Sequence, residues 1–451
     1  MKNKVETELS LLADADKRAH AYLETVKTRR AFPTPEAIMG LSALSGELPL
    51  GSTPACETLA ILDDIGTPAT VTSNGPNYYG FVIGAVLPVA AAADRLAAAW
   101  DQCASSHTNS PVMASIEKTA GKWLLDILDL PENSGVGFGT SATACGLSCF
   151  GTARRTLLKN LGWDLDQKGL TNAPTIRVIV SKKTHITIIK ALKLLGFGLD
   201  NIIYAPADAH GRIIVDKLPL LDAQTILCLQ AGEVNTGEFD DFASIIPKAK
   251  KAGAWVHVDG AFGLWARASK KFVHLTKDVD FADSWTTDGH KWLNTPYDSA
   301  VAICRDKTAL AQTLNADAVY SHSEADAQKN LTLEFSRKAR GLGFWAVMHS
   351  LGREGIEKLV DQYCERTTEL AAGCKKAGIT VLNRVVLNQI LCRLEDDEHT
   401  LAFIKAVQSN GKVWFGPTIW EGRPAFRLSV SSWRIEKSDI ENCIEELKRH
   451  I

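Results

Sequence analysis

The sequence predicts an α/β protein with a mainly parallel central sheet, helices on both faces of that sheet, and a small C-terminal α/β domain. Three observations carry this. Short continuous apolar runs, Ile176 to Val180, Ile202 to Tyr204, Ile226 to Leu229, Trp255 to Val258 and Ala300 to Cys304, alternate with helix-period segments, the pattern of strands buried on both faces. Polar, glycine-containing loops such as Gln230 to Gly237 follow directly after these runs, and open α/β sheets collect such loops at their strand carboxyl ends. Past Cys304 the alternation stops, and a long polar stretch from Asn315 to Thr332 precedes a helical region that begins near Trp345.

Taken in order, the chain opens with Leu9, Leu12, Ala13, Ala19, Tyr22, Leu23 and Val26 at roughly helical spacing, which predicts an amphipathic helix over 6–29. From Phe32 to Thr53 prolines and glycines interrupt any long element, and the segment reads as an arm that wraps a neighbour. Ser73 to Phe81 is turn-forming and studded with aromatics; a helical run then reaches Trp100. After the polar loop at His107, Ser110-Pro111 opens a helix through Trp123 to Leu128, with proline just inside its start. Gly135 to Gly146 resembles a strand end, a Gly/Ser/Thr turn and a helix start, where small residues let backbone N–H groups close on a phosphate. Its spacing is neither a Walker loop nor a dinucleotide fingerprint. His185 stands just past a strand end, where a flat ring is able to lie over a bound ring. The expected division is 1–53 as helix and arm, 54–342 as the large domain and 343–451 as the small one.

Composition excludes little but orders the rest. The hydrophobic fraction of 45% and charged fraction of 23% are those of a soluble globular protein. With Lys+Arg 50 against Asp+Glu 52, a formal charge of −2 gives no electrostatic reason to expect nucleic acid or an anionic membrane. The N-terminus has no apolar signal core and no later stretch reaches a membrane span, so a cytoplasmic location is expected. Ten scattered cysteines with no C-x-x-C read as free thiols rather than disulfides or a metal site.

One stretch organises the chemistry. Lys291 follows His290, is flanked by Trp285 and Trp292, and stands 32 positions after Asp259, which ends an apolar run. That separation is about one strand–crossover–strand unit, placing both residues at neighbouring strand ends of one parallel sheet. An amine for an aldehyde and a carboxylate for a pyridine nitrogen are the two protein groups that pyridoxal phosphate requires.

With these motifs together, from about Pro54 onward the chain resembles the pyridoxal-phosphate-dependent group II amino-acid decarboxylases, of fold type I. Five landmarks agree in order: Gly139 to Ala142, Ser181 to His185, Trp255 to Gly260, His290-Lys291-Trp292, and the stretch around Tyr320. The resemblance implies an aminotransferase-like fold, Lys291 as the Schiff-base lysine, Asp259 as partner of the pyridine nitrogen, and His185 as the ring stacked on the cofactor. Thr140, Ser141 and Ala142 are implied as phosphate contacts, with Asp288 and His290 close by, and Tyr320 as the catalytic tyrosine of a closing loop. Asp288 stands where some relatives have asparagine. The implied reaction is decarboxylation of an L-amino acid to the amine through an external aldimine and quinonoid, in a homodimer with sites near the subunit interface.

An aminotransferase of the same fold and a decarboxylating aldehyde synthase share the cofactor groups and remain the alternatives. A non-catalytic cofactor-binding relative is disfavoured by intact Lys291 and Asp259. Tyr79, Phe81 and Trp414 are the candidate substrate pocket, with Tyr78 and Trp420 also suited to an aromatic or apolar side chain. Arg340, Arg423 and Arg427 are candidate cations for an acidic one, although a strand arginine such as Arg427 is more often a structural ion-pair partner.

Overall fold

The computed structural model describes residues 2–315 and 326–451. Seven strands, β1 (Gly135–Gly139), β2 (Arg177–Ser181), β3 (Ile202–Ala205), β4 (Thr225–Gln230), β5 (Trp255–Asp259), β6 (Ser284–Asp288) and β7 (Ala300–Cys304), form one sheet in the order β1-β7-β6-β5-β4-β2-β3. Strands β2 to β6 pair in parallel, whereas β7 runs antiparallel to both β6 and β1. The physical reason is connection length. Residues 289–299 are too few to carry a crossover, so the chain must turn back.

Both faces of the sheet are covered, as the continuous apolar runs require. Val178 and Val180 of β2 pack with Phe150 and Leu157 of the helix Ala142–Asn160 and with Ile188 of the helix Ile186–Leu194. Ile179, between them, faces the opposite core with Leu227, Val256 and Trp285, under Leu124, Ile245 and Phe344 of three other helices. Each such apolar side chain contributes about 1.5–3 kcal/mol by leaving water.

A second, fully antiparallel sheet of β8 (Thr380–Val381), β9 (Gln389–Arg393), β10 (Gly416–Trp420) and β11 (Arg423–Ser429) has the order β10-β11-β9-β8. The helical segment Gly341–Lys376, bent at Gly352 where φ is 60°, carries Phe344 and Tyr363 in the same continuous core as Phe426 of β11. The backbone of Tyr79 donates to Trp414 and accepts from Ser429, at 2.8 and 2.9 Å, tying the segment before the helix Pro88–Trp100 to the small sheet.

One buried ion pair locks the junction behind β1. Arg337 grips Glu117 in a two-pronged contact of 2.7 and 2.8 Å, both side chains being fully buried, and also donates to the carbonyls of Ala104 and Phe138. At the N-terminus the opening helix runs Lys2–Thr25, and beyond it Met39, Leu48 and Leu50 point into solvent. Among the described residues no helix is long and apolar enough to cross a membrane.

Candidate active site

Asp259 is the last residue of β5, in register with Gln230 on β4 and Thr286 on β6, so the three side chains stand in one row across the strand ends. The carboxylate is buried, with Ala261 N–H donating to Oδ1 at 3.3 Å. Burial pushes its pKa up, opposed by the nearby Lys291 amine. On either side of it, Gln230 Nε2 and Thr286 Oγ1 are buried and have no hydrogen-bond partner among the described residues. Buried polar atoms are normally paired. Such a row suits a flat ligand with polar substituents, and the pyridine ring of pyridoxal phosphate fits it.

Lys291 lies three residues beyond β6, in the turn that leads into β7. The residues around it are packed, which explains the local sequence. Trp292 is buried against Phe262 and Tyr363, and the Tyr363 hydroxyl donates to its carbonyl at 3.1 Å. Asn294, at φ 52°, donates from Nδ2 to the Lys291 carbonyl at 2.7 Å and to Ser431 at 2.9 Å, pinning the lysine backbone to the end of the small sheet. Gly84 closes over the same carbonyl: a Cβ there would stand 2.0 Å from Lys291 O. Gly84→Ala is therefore expected to destabilise the fold by about 1–3 kcal/mol and to lower activity by moving Lys291, checked by thermal unfolding and turnover together.

The Lys291 amine is 3.0 Å from Asp288 Oδ2. Asp288 ends β6, is buried, and accepts the Ala142 N–H on Oδ1 at 2.8 Å. His290 Nε2 is 3.7 Å from the same oxygen. Because Ser299 N–H donates to His290 Nδ1 at 3.2 Å, the neutral ring carries its proton on Nε2 and presents a donor. Burial lowers the pKa of His290, keeping it in that form. Ser141 caps the helix Ala142–Asn160 by accepting Ala144 N–H at 3.3 Å, and Thr140 precedes it at the end of β1. Thr140, Ser141, Ala142, Asp288 and His290 thus meet at one helix N-terminus.

His185 caps the helix Ile186–Leu194, with Nδ1 2.7 Å from Thr187 Oγ1. Burial first, then Lys291 and Arg427, push its pKa down to about 4. His257, fully buried on β5 with Nδ1 2.9 Å from Ser284 Oγ, is pushed by burial to about 3. Free histidine titrates near 6.5, so in acid the unfolded chain takes up protons that the folded chain refuses. Stability is fully present above about pH 6.5 and falls as pH drops toward 4 for His185 and 3 for His257. Melting temperature measured against pH is expected to follow that slope, and His257→Gln to make it shallower by one proton.

The aromatic candidates divide. Tyr79 is a correction: it is fully buried, its hydroxyl faces the Cys443 thiol, and it takes no part in the site. Neighbours in an extended segment point to opposite sides, so Tyr78 takes the position expected of Tyr79. Tyr78 stacks flat on Trp414 at 5.1 Å, and Phe81 packs on the same indole at 5.3 Å. Trp420 instead lies under Lys183. Arg340 and Arg423 are paired to Asp298 and Asp397. Arg427, largely buried on β11, donates to the Val234 carbonyl at 2.7 Å and interacts electrostatically with the buried Glu233 carboxylate, then with Tyr78, and with His185. Tyr297 was not foreseen: its ring, half open to solvent, stacks on His290 at 4.3 Å, and partial desolvation, then Asp288, raise its pKa. No spacing marks it, since it returns to the site through a turn closed by bonds such as Gly289 N–H to Ser299 O at 2.9 Å and Thr295 N–H to Gly289 O at 3.2 Å. Tyr320 lies outside the described residues.

A family model described as the pyridoxal-dependent decarboxylase conserved domain matches residues 57–391. Tryptophan decarboxylase 1 of Oryza sativa subsp. japonica is 25% identical over 469 residues, covering 95% of this chain and 90% of that protein. The crystal structure of Oryza sativa TDC with PLP and tryptamine superposes with a TM-score of 0.91 at 22% identity, covering 99% and 97% of the two chains. That of Rhodiola rosea 4-hydroxyphenylacetaldehyde synthase gives 0.86 at 19% identity, covering 99% and 98%. At these identities the structural likenesses establish the fold.

Proposed function

We propose, from the premise that this chain belongs to the pyridoxal-dependent decarboxylase family, that it removes the carboxylate of an L-amino acid as CO2 and releases the amine. The observation that carries the reading is the meeting of Asp259 and Lys291 at neighbouring strand ends, a buried carboxylate and an amine beside unpartnered polar atoms. The family cofactor, pyridoxal 5'-phosphate, supplies when bound an aldehyde for amines and a protonated ring that takes up the electron pair left by CO2.

The residues divide the work. Lys291 Nζ is the amine that would hold the aldehyde, and Asp288 at 3.0 Å fixes where that amine stands. Asp259 accepts the ring N–H and keeps its proton in place, an interaction strengthened by burial. His185, neutral above about pH 4, offers a flat uncharged face to the ring. Thr140, Ser141, Ala142 and the Nε2–H of His290 would hold the phosphate. Arg427, near Glu233 and His185, would be the cation that receives and orients the substrate carboxylate. We assign Tyr320 the proton returned to carbon. Phe81 and Trp414, with Tyr78 in place of Tyr79, suit an aromatic or apolar side chain.

The leucines and methionine exposed on the arm support a homodimer, a second copy covering them. Ten free cysteines, eight of them buried, support a reducing, cytoplasmic location. The reaction is tested with purified protein, added cofactor and an amino-acid panel, measuring CO2 and amine together. Equal yields from one side-chain class are expected. CO2 with ammonia and peroxide is the aldehyde-synthase outcome, and turnover that needs a 2-oxo acid is transamination; either would displace the proposal.

A further inference from the structure

We infer that Asp288 competes with the cofactor phosphate for the amide that opens the helix Ala142–Asn160, and so lowers the affinity with which the cofactor is held. The inference rests on the cofactor reading above and concerns this chain's own carboxylate. The helix of residues 142–160 points its first-turn N–H groups at the strand ends. Two of those donors are taken: Ala144 N–H bonds Ser141 Oγ at 3.3 Å and Ala142 N–H bonds Asp288 Oδ1 at 2.8 Å. The carboxylate is buried, its other oxygen is 3.0 Å from Lys291 Nζ, and the His290 Nε2–H stands 3.7 Å away. Asp288 therefore holds the helix amide and stands near the His290 donor that a phosphate at this position would use, as well as the Lys291 amine assigned to the aldehyde.

Two consequences follow from charge alone. A phosphate that reaches the Ala142 amide must share it with, or take it from, a buried carboxylate, and two anions within a few ångströms in a poorly solvated site repel. The same carboxylate, 3.0 Å from Lys291 Nζ, pairs with the charged form of that side chain, whereas the aldehyde needs its free amine. Only the first effect depends on the phosphate. An asparagine at 288 keeps an oxygen for Ala142 N–H, removes the charge and adds an N–H donor, so it alters the electrostatics while retaining the cap.

Pyridoxal phosphate and pyridoxal, which carries the same aldehyde without the phosphate, separate the two effects. Their dissociation constants are measured by the absorbance of the lysine adduct and by quenching of tryptophan fluorescence, with no amino acid present. For Asp288→Asn the ratio of pyridoxal to pyridoxal phosphate dissociation constants is expected to rise on the order of tenfold over the unsubstituted protein. Asp288→Ser, which also removes the charge, is expected to move the ratio the same way, and thermal unfolding of both variants checks that the fold is kept. An unchanged ratio, with both compounds bound more tightly by the same factor, would mean that Asp288 acts only through Lys291 and overturns the inference. A lower ratio would mean that the carboxylate helps to hold the phosphate, and overturns it as well. Because no turnover is measured, failure of the decarboxylation reading leaves this result intact. Failure of the unsubstituted protein to bind either compound overturns both.

Discussion

Lys291→Ala and Lys291→Arg are each expected to lower decarboxylation by more than about 10³-fold and to abolish the absorbance of the lysine adduct. The two substitutions are informative as a pair. Alanine removes both the nucleophile and the cation that faces Asp288 at 3.0 Å, leaving Asp259 and Asp288 as buried carboxylates without their shared partner. Arginine keeps a charge for Asp288 but has no amine that condenses with an aldehyde. Loss of turnover in both, with stability better preserved in Lys291→Arg, is the result expected if the amine acts chemically. Equal instability with turnover retained would show that Lys291 is a structural ion-pair partner of Asp288.

The second large effect falls away from the chemistry. Glu117→Ala leaves the Arg337 guanidinium fully buried without its carboxylate and is expected to destabilise the protein by about 3–5 kcal/mol. Glu117 also accepts the Gly341 N–H at 3.0 Å, so the start of the helical segment Gly341–Lys376 loses a bond at the same time. The double variant Glu117→Leu/Arg337→Met replaces two buried charges by apolar groups and is expected to recover much of that loss. Urea midpoints of the two single variants and the double variant provide the test. Full additivity would show that the two side chains do not depend on each other.

Much of the fold was legible because burial on both faces leaves a simple mark. Strands β2, β4, β5 and β7 are continuous apolar runs, and β7 is found at Ala300–Cys304, the bounds its run suggests. Strand β6 carries Ser284, Thr286, Thr287 and Asp288, too polar for that criterion, and only the spacing from Asp259 points to it. The reversal of β7 is a matter of connection length, which periodicity does not report. At the site, residues fixed by local chemistry were readable: a lysine after a strand, an aspartate ending one, small residues opening a helix. Residues fixed by orientation were not. Tyr78 and Tyr79 are neighbours in sequence, and only their pairing with Trp414 and Ser429 decides which ring enters the core. Arg427 has the sequence of a structural strand arginine, and its place beside His185 depends on how the small sheet meets the large one.

The most direct test of the account follows the carboxylate itself. Amino acids labelled in the carboxyl carbon are given to the unsubstituted protein and to Lys291→Ala, each with pyridoxal phosphate, and labelled CO2 and amine are counted over the same interval. Equal amounts of labelled CO2 and unlabelled amine are expected from the unsubstituted protein and none above background from Lys291→Ala. Amino acid consumed with its label retained, or labelled CO2 released equally by the two proteins, would contradict the account.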